Sequence, residues 1–245
     1  MKAMIMSAGK GTRLGKITET IPKVLVGING KSLLQIAVET CTRHGFDDII
    51  VNVHHLAGMV EEEVRRLNKL GYRISVSDER DLLLENGGGL YKARDFFDDN
   101  PFLVYNADIV TDLDLSDLYR FHLKKKGLAT LAVRKRTGSR FLLVDSEGVL
   151  KGWCNIATGE KILADNAGEN LTRVGFSSLQ IIEPEIFRYM KEGIYTVVNL
   201  YLELASSHKI YTLRHDDGYW FNVGTPEELE KVREFTYRRL SDLPE

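Results

Sequence analysis

Residues 1–14 read MKAMIMSAGKGTRL, an apolar run that stops at a glycine-rich segment. The run over residues 1–7 is typical of a short buried strand. Gly9 and Gly11 then let the backbone come close to a ligand, and consecutive amide N–H groups in such a loop can hold phosphate oxygens. The sequence therefore predicts a strand that leads directly into a phosphate-binding loop, although a tight turn with no ligand explains the two glycines equally well.

Helical and strand-like segments alternate from this loop to about residue 110. Apolar residues recur at helical spacing from Ser32 and over residues 56–70, and β-rich runs occupy 49–53, 74–76 and 102–105. Alternation at this length predicts crossover units and a mostly parallel sheet. We expect one α/β domain over residues 1–245, Rossmann-like, with a central mostly parallel mixed sheet flanked by helices.

Several local elements can also be predicted. We expect a loop over residues 8–31, a helix near 91–97 that follows three glycines, and a hairpin that turns at 145–148. A helix is expected at 184–193. Thr225 and Glu228 have the spacing of a capping box, so the last helix should begin beside them.

The composition excludes several classes of protein. Lys and Arg number 33 against 35 Asp and Glu, so the formal net charge of −2 offers no basic excess for a nucleic acid. Cys41 and Cys154 lie far apart, which argues against a disulfide framework or a zinc site. No apolar run approaches the roughly 18 residues that cross a bilayer. We therefore expect a cytoplasmic protein with neither a nucleic-acid nor a membrane partner.

The glycine loop fails two common nucleotide-binding patterns. A Walker A loop needs Gly-x-x-x-x-Gly-Lys-Ser/Thr, a spacing that residues 7–14 lack. A dinucleotide fingerprint needs a third glycine at position 14, where Leu14 stands. Arg13 and Lys23 nevertheless supply two cations nearby, which suits a polyphosphate.

A longer pattern resembles a known family. The segment Ala8-Gly9-Lys10-Gly11-Thr12-Arg13-Leu14, followed by Pro22-Lys23-Val24-Leu25 and Gly30-Lys31, is similar to the signature of the sugar-1-phosphate nucleotidyltransferases, or nucleotide-sugar pyrophosphorylases. The resemblance implies a GT-A-type nucleotidyltransferase fold. It implies that Ala8, Gly9, Gly11 and Thr12 wrap a nucleoside triphosphate, that Arg13 contacts its phosphates, and that Lys23 neutralises the α-phosphate. Gly15-Lys16 departs from the Arg-Pro that often follows in the family.

A second glycine cluster lies at Glu85-Asn86-Gly87-Gly88-Gly89-Leu90. Three glycines at a helix start are unfavourable unless something must come close, and a flat base is one candidate. A loose connection between strand and helix is the alternative. The resemblance implies that Asn86, Gly87 and Gly88 line the base and ribose and that Glu79 contacts the base edge. The triple glycine is especially like the N-acetylmuramate-1-phosphate uridylyltransferase branch.

Asp108 follows the apolar run at 102–105, which places it at the carboxyl end of a strand, where open α/β sheets bind ligands. The resemblance implies that Asp108 binds Mg²⁺. Residues 220–229 resemble the closing Trp-x-Asp-x-Gly-Thr-Pro motif, with Asn222 in place of the aspartate. An amide oxygen also suits Mg²⁺, so Asn222 is the second expected ligand. Val174-Gly175-Phe176 resembles the sugar-contacting strand, which makes Gly175 the expected sugar contact.

Together with these features, the resemblance implies a Mg²⁺-dependent enzyme with Arg13, Lys23 and Asp108 as catalytic residues. UTP or GTP would react with a sugar-1-phosphate to give an NDP-sugar and pyrophosphate. Residues 1–110 would bind the nucleotide and 111–245 the sugar phosphate. An N-acetylmuramate-1-phosphate uridylyltransferase-like activity is favoured, and a mannose-1-phosphate guanylyltransferase or another hexose- or heptose-1-phosphate enzyme is the alternative. An NDP-sugar-using glycosyltransferase and a non-catalytic nucleotide-sensing module are two further alternatives.

Overall fold

The structure, a computed structural model, describes residues 1–241. The α-helices of this part are α1 (Ile17–Thr20), α2 (Leu33–Arg43), α3 (Ala57–Lys69), α4 (Glu85–Lys92), α5 (Leu115–Lys125), α6 (Val197–Leu204) and α7 (Pro226–Ser241). The strands are β1 (Lys2–Met6), β2 (Gly27–Ile28), β3 (Lys31–Ser32), β4 (Asp48–Val53), β5 (Arg73–Asp78), β6 (Phe102–Asn106), β7 (Ile109–Thr111), β8 (Ala129–Arg134), β9 (Arg140–Val144), β10 (Leu150–Asn155), β11 (Glu160–Leu163), β12 (Thr172–Ile182), β13 (Ile210–Arg214) and β14 (Trp220–Asn222).

The chain folds into two compact units, and each is built from separate stretches of sequence. The first unit comprises residues 1–83, 105–113 and the segment from 219 onward. The second comprises residues 84–104 and 114–218. The expected halves, 1–110 and 111–245, therefore stay a prediction about which substrate each part of the chain binds.

The first unit is built on parallel strands. β4 pairs with β1 on one side and β5 on the other, with Ile49 opposite both Ala3 and Ile74. Ile49, Val51 and Val53 are fully buried, as expected for a strand inside a parallel sheet. The Ser32 hydroxyl accepts the N–H of Gln35 at 3.0 Å and so caps α2.

A separate two-stranded ribbon completes the first unit. β7 and β14 run antiparallel, with Asn222 opposite Ile109. Behind them lies a buried apolar cluster that also packs against α7, formed by Leu14, Val26, Ile28, Leu33, Val110, Val223, Leu229 and Val232. The cluster joins the glycine loop, the ribbon and α7 into one packed layer.

The second unit carries mixed pairing. β8 pairs in parallel with β13 and antiparallel with β12, while β9, β10 and β11 continue the sheet with antiparallel pairs. β12 contains a bulge between Phe176 and Gln180, and Ser178 within it has φ +61°. The predicted hairpin at 145–148 is confirmed, with Gly148 at φ +74°.

The predicted fold class, an α/β protein with a mixed central sheet flanked by helices, is confirmed. Three local predictions are wrong. The expected loop over 8–31 contains α1, β2, β3 and two short 3₁₀ turns. The helix expected at 184–193 is a 3₁₀ turn at Pro184–Arg188. The glycines expected to precede a helix lie inside α4, because residues 193–195 pack closely against them.

Both cysteines are buried free thiols in the described part of the chain, as expected from their spacing. Burial raises the pKa of the Cys41 thiol, which keeps it protonated. Across residues 1–241, no helix combines the length and the apolar composition that spanning a bilayer requires.

Candidate active site

The glycine loop of the first unit presents backbone donors. Among the residues that the structure describes, no acceptor meets the N–H groups of Gly9, Lys10 and Gly11. Gly11 has φ +66°, and a Cβ at this position would lie 2.7 Å from the Cβ of Lys23. Consecutive backbone donors at the end of a strand form a site suited to phosphate oxygens.

Thr18 of α1 contacts the backbone of the glycine loop. The Thr18 hydroxyl lies 3.1 Å from the carbonyl oxygens of both Gly11 and Gly15. A ring nitrogen of His55 lies 3.2 Å from the Thr18 carbonyl oxygen. These contacts engage the carbonyl groups of Gly11 and Gly15 and leave the N–H groups of Gly9, Lys10 and Gly11 without an acceptor among the described residues.

Lys23 and Asp108 form a partly buried ion pair. The Lys23 ammonium donates to Asp108 Oδ2, and the two side chains are 11% and 19% exposed. The turn that carries Asp108 is clamped from both sides. The buried Tyr105 hydroxyl donates to the Ile109 carbonyl at 2.8 Å, and the Asp108 carbonyl accepts the N–H of Val223 at 2.8 Å.

Asn222 lies beside Asp108 because β14 pairs with β7. Its Oδ1 atom is buried and accepts no hydrogen bond from any described residue. A buried oxygen without a donor is costly, and a cation in contact with it would remove that cost. The donor set, one carboxylate and one amide oxygen, fits Mg²⁺ because this ion keeps several waters and takes its other ligands from substrate phosphates.

The protein alone does not complete such a site. Within residues 1–241, no group of three or more His, Cys, Asp or Glu side chains could hold a metal ion. Asp108 and Asn222 can supply part of a Mg²⁺ coordination shell, whose other positions water or substrate phosphates can fill.

Arg13 reaches from the glycine loop to the residues that precede α7. A Cβ on Gly224 would lie 2.8 Å from an Arg13 Nη atom and 3.2 Å from Glu228 Oε2. Glu228 accepts the N–H groups of Gly224 and Thr225 at 2.9 and 3.0 Å, and Thr225 caps the Glu228 N–H, so the predicted capping box is confirmed. Gly224 thus leaves the space in which the guanidinium lies.

Glu79 lies in the interior of the first unit, and its expected contact with the base edge stays a prediction. It is 1% exposed, and its carboxylate accepts the Asn52 amide at 2.8 Å. Asn52 Oδ1 in turn accepts the Ser7 N–H at 2.7 Å, at the start of the glycine loop. Glu79 is therefore arranged as a support for the loop. A polar Asn52 within the apolar run of β4 was the sequence signal for this network.

Asn86, Gly87 and Gly88 belong to the second unit. Asn86 Oδ1 accepts the Val197 N–H at 2.8 Å and so caps α6. A Cβ on Gly87 would lie 2.6 Å from the Tyr195 ring, and one on Gly88 would collide with the Gly193 carbonyl. Gly87 and Gly88 thus leave room for residues 193–195 to pack against α4. A role of these glycines in binding the base stays a prediction.

Gly175 also lies in the second unit, on β12. A Cβ there would collide with the side chain of Arg136, which follows β8. The sequence offered no signal for this contact, because Arg136 is one of several cations in the run 134–136 and lies 39 residues from Gly175.

The first unit therefore brings together most of the predicted phosphate and metal residues. Gly11 touches Lys23, Lys23 pairs with Asp108, Asp108 adjoins Asn222, and Arg13 reaches Gly224. Ala8 is buried behind the loop, and Thr12 is exposed on it. Asn86, Gly87, Gly88 and Gly175 lie in the second unit.

Solved structures share this fold. HddC from Yersinia pseudotuberculosis, complexed with GMP-PN, is 20% identical with a TM-score of 0.77, over 96% of this chain and 99% of that one. UDP-glucose pyrophosphorylase from Acinetobacter baumanii is 14% identical with a TM-score of 0.76, over 98% of each chain. At these identities the likeness concerns the fold.

Curated relatives are more similar in sequence. A UTP–glucose-1-phosphate uridylyltransferase from Synechocystis is 31% identical over 99% of this chain and 65% of its own length. A mannose-1-phosphate guanylyltransferase catalytic subunit beta from Danio rerio is 27% identical over 98% and 68%. An N-acetylmuramate alpha-1-phosphate uridylyltransferase from Neisseria meningitidis is 26% identical over 95% and 97%. The chain thus spans about two thirds of the length of the first two relatives.

The profile of the family described as "Nucleotidyl transferase" matches residues 2–149, which is more than half of the chain. The matched stretch holds the glycine loop, Lys23 and Asp108. The chain belongs to the nucleotidyl transferase family.

Proposed function

We propose that this protein transfers a nucleotidyl group from a nucleoside triphosphate to a sugar-1-phosphate, giving an NDP-sugar and pyrophosphate. The observation that carries the proposal is the arrangement in the first unit. It holds three backbone N–H groups without an acceptor among the described residues, two cationic side chains and the Asp108–Asn222 pair, linked by successive contacts. Phosphate chemistry needs this combination of donors and positive charge.

Bond making and breaking require no covalent enzyme intermediate. An oxygen of the sugar-1-phosphate attacks the α-phosphorus in line, and the bond to the β-phosphate oxygen breaks as pyrophosphate leaves with the electron pair. The loop N–H groups and Arg13 hold the triphosphate. Lys23 neutralises charge on the α-phosphate. Positioning and charge stabilisation are then sufficient for catalysis.

Mg²⁺ is part of this proposal because its ligand preferences match the residues present. Asp108 and Asn222 would hold the ion, and bound Mg²⁺ would neutralise phosphate charge in the transition state. The Lys23 ammonium donates to one Asp108 oxygen. When substrate binds, we expect the Lys23 ammonium to leave the Asp108 carboxylate and contact a phosphate oxygen instead.

For the substrates we propose UTP and N-acetylmuramate 1-phosphate. Three relatives that each align with more than nine tenths of this chain are named as uridylyltransferases, and two of these are named for N-acetylmuramate alpha-1-phosphate. GTP with mannose 1-phosphate is the second candidate, because guanylyltransferases of mannose 1-phosphate align over a similar extent. The free buried thiols suit a reducing cytoplasm.

Pyrophosphate release across four nucleoside triphosphates and a panel of sugar-1-phosphates tests the reaction and its substrates. We expect release with Mg²⁺ and UTP that depends on the sugar phosphate. No pyrophosphate release with any combination of nucleotide and sugar-1-phosphate would contradict the proposal. A maximum with GTP and mannose 1-phosphate would move the assignment to the second candidate.

Variants test the residues. Asp108→Asn and Lys23→Met should each lower turnover by roughly 100-fold or more, as expected when a group that stabilises transition-state charge is removed. Asp99→Asn and Lys69→Gln change the same residue types at exposed positions and should leave turnover unchanged. Full activity in Asp108→Asn would show that Asp108 is not a catalytic residue.

A further inference from the structure

Arg136 in the second unit is a cation that has no carboxylate partner among the described residues. Its side chain lies across Gly175, is half-buried, and follows the carboxyl end of β8. The Nε atom is buried and has no hydrogen-bond partner among the described residues. In the part of the chain that the structure describes, the two Nη atoms reach backbone carbonyl oxygens alone, those of Thr137 at 3.5 Å and Arg140 at 3.4 Å.

The surrounding charges do not compensate this guanidinium. Within residues 1–241, no carboxylate forms an ion pair with Arg136. The acid at this edge, Asp216, is already engaged, because it accepts the Lys135 N–H at 2.6 Å and pairs with Arg214. Burial lowers the pKa of the Arg136 guanidinium, which reflects the same missing partner. A half-buried, unpaired cation is costly unless an anion joins it.

The position of Arg136 in the sheet is one where ligands bind. β8 and β13 are parallel, so their carboxyl ends lie at one edge of the second unit. Arg134, Arg136 and Arg214 all lie at that edge. Open α/β sheets bind ligands beyond the carboxyl ends of their strands. A guanidinium there matches the planar oxygens of a carboxylate or the oxygens of a phosphate.

We propose that Arg136 binds an acidic group of the acceptor sugar phosphate, and that Gly175 is a glycine because the Arg136 side chain needs its space. This inference rests on the proposed function for the identity of the acceptor. The nucleotide has its own cations in the first unit, Arg13 and Lys23, so the anion left for Arg136 belongs to the acceptor. The acidic group is either the phosphate on the sugar or a carboxylate that the sugar carries.

The test measures acceptor binding without turnover. Isothermal titration calorimetry uses the enzyme with Mg²⁺ and the α,β-methylene analogue of UTP, which cannot release pyrophosphate. The titrants are N-acetylmuramate 1-phosphate and N-acetylglucosamine 1-phosphate, which differ by one carboxylate-bearing ether. Arg136→Gln should weaken acceptor binding by about tenfold or more, the size expected for one charge-assisted hydrogen bond. The affinity for the UTP analogue should not change.

Two further variants separate charge from structure. Gly175→Ala keeps the guanidinium but displaces it, so it should weaken the same binding in the same direction. Lys135→Gln removes an exposed neighbouring cation and should have no effect. Arg136→Lys keeps the charge and should recover part of the affinity. Thermal melting of each variant shows whether it is folded.

The outcomes distinguish the two sources of the anion. A loss restricted to N-acetylmuramate 1-phosphate assigns Arg136 to the carboxylate, and an equal loss for both sugars assigns it to the phosphate. Unchanged acceptor affinity in folded Arg136→Gln, or an equal loss in Lys135→Gln, would overturn the inference. Tight acceptor binding that depends on Arg136 in an enzyme that releases no pyrophosphate would support this inference and contradict the proposed function.

Discussion

At the scale of single residues, the candidate site depends on a glycine remote from the glycine loop in sequence. Gly224 leaves open the space that the Arg13 guanidinium occupies. The sequence placed Gly224 in a family-like motif, but it carried no sign that this position touches Arg13, which lies more than 200 residues earlier. Contacts between side chains far apart in sequence are fixed by tertiary packing, which local patterns do not encode.

Gly224→Ala should move the Arg13 guanidinium away from the triphosphate. We expect kcat/KM for the nucleotide to fall by about tenfold, because small displacements of a positioning group reduce turnover strongly. Steady-state kinetics at varied nucleotide concentration measure this. Gly168→Ala is the control, since a Cβ there meets nothing within 4 Å. An unchanged kcat/KM would show that Arg13 has no role in holding the phosphates.

Asn222 offers a second test at this scale. Asn222→Asp adds a negative charge beside Asp108, so less Mg²⁺ should be needed for half-maximal activity. Asn222→Leu removes the oxygen and should raise the required Mg²⁺ by about tenfold or more. A magnesium titration of turnover measures both, with Asn100→Asp as an exposed control. Identical magnesium requirements in all three variants would contradict the ligand assignment.

The position of Asp108 beyond the end of a strand was predictable, because an acidic residue after a buried apolar run marks a strand end. The support that Glu79 gives to the glycine loop was harder to predict. Glu79 was expected at a base edge, yet its carboxylate faces Asn52 in the interior. Sequence shows that a residue is acidic and near a motif, whereas burial depends on which strands become neighbours.

At the scale of elements, α4 shows why the triple glycine misled the prediction of helix bounds. Glycine has a low helix propensity, so the sequence favoured a loop before the helix. The structure has a helix because Gly87 and Gly88 admit residues 193–195 in close contact. Tertiary packing here outweighs about 1 kcal/mol of intrinsic preference per glycine. β4, α2 and α7, whose apolar spacing and caps agree with their environment, were predictable.

Gly88→Ala tests this packing. An alanine normally stabilises a helix interior by about 0.5–1 kcal/mol relative to glycine. At Gly88 the added Cβ would collide with the Gly193 carbonyl, so we expect a loss of about 1–3 kcal/mol in the free energy of unfolding. Urea denaturation measures the change.

Gly58→Ala in α3 is the matched control, because position 58 is exposed and a Cβ there meets nothing within 4 Å. This variant should be slightly more stable than the parent protein. Stabilisation by both alanines would show that the 193–195 segment does not press against α4.

At the scale of the whole molecule, stability should depend on pH through His122. This side chain is fully buried, with ring nitrogens 2.9 Å from Thr130 Oγ1 and 3.1 Å from Glu183 Oε1. Burial lowers the pKa of His122 from its usual 6.5, and the nearby Glu183 opposes this only in part. Below pH 6.5, His122 therefore binds a proton more readily in the unfolded chain than in the folded protein.

The free energy of unfolding should fall as the pH drops below about 6.5, by up to about 1.4 kcal/mol per pH unit from this residue. Above that pH the contribution is fully present. Urea denaturation between pH 5 and 8 measures the slope. His122→Gln should flatten it and His44→Gln should not. Equal slopes in the parent protein and His122→Gln would contradict this account.

The first unit draws on three separate stretches of the chain, and its last one begins at Tyr219. Of the candidate site residues, the ribosome makes Gly9 and Lys23 first, then Asp108, and Asn222 and Gly224 last. A nascent chain of 200 residues thus holds the glycine loop but lacks the β14 strand and the support for Arg13. The residues of the candidate site can therefore come together only after β14 and Gly224 have been made.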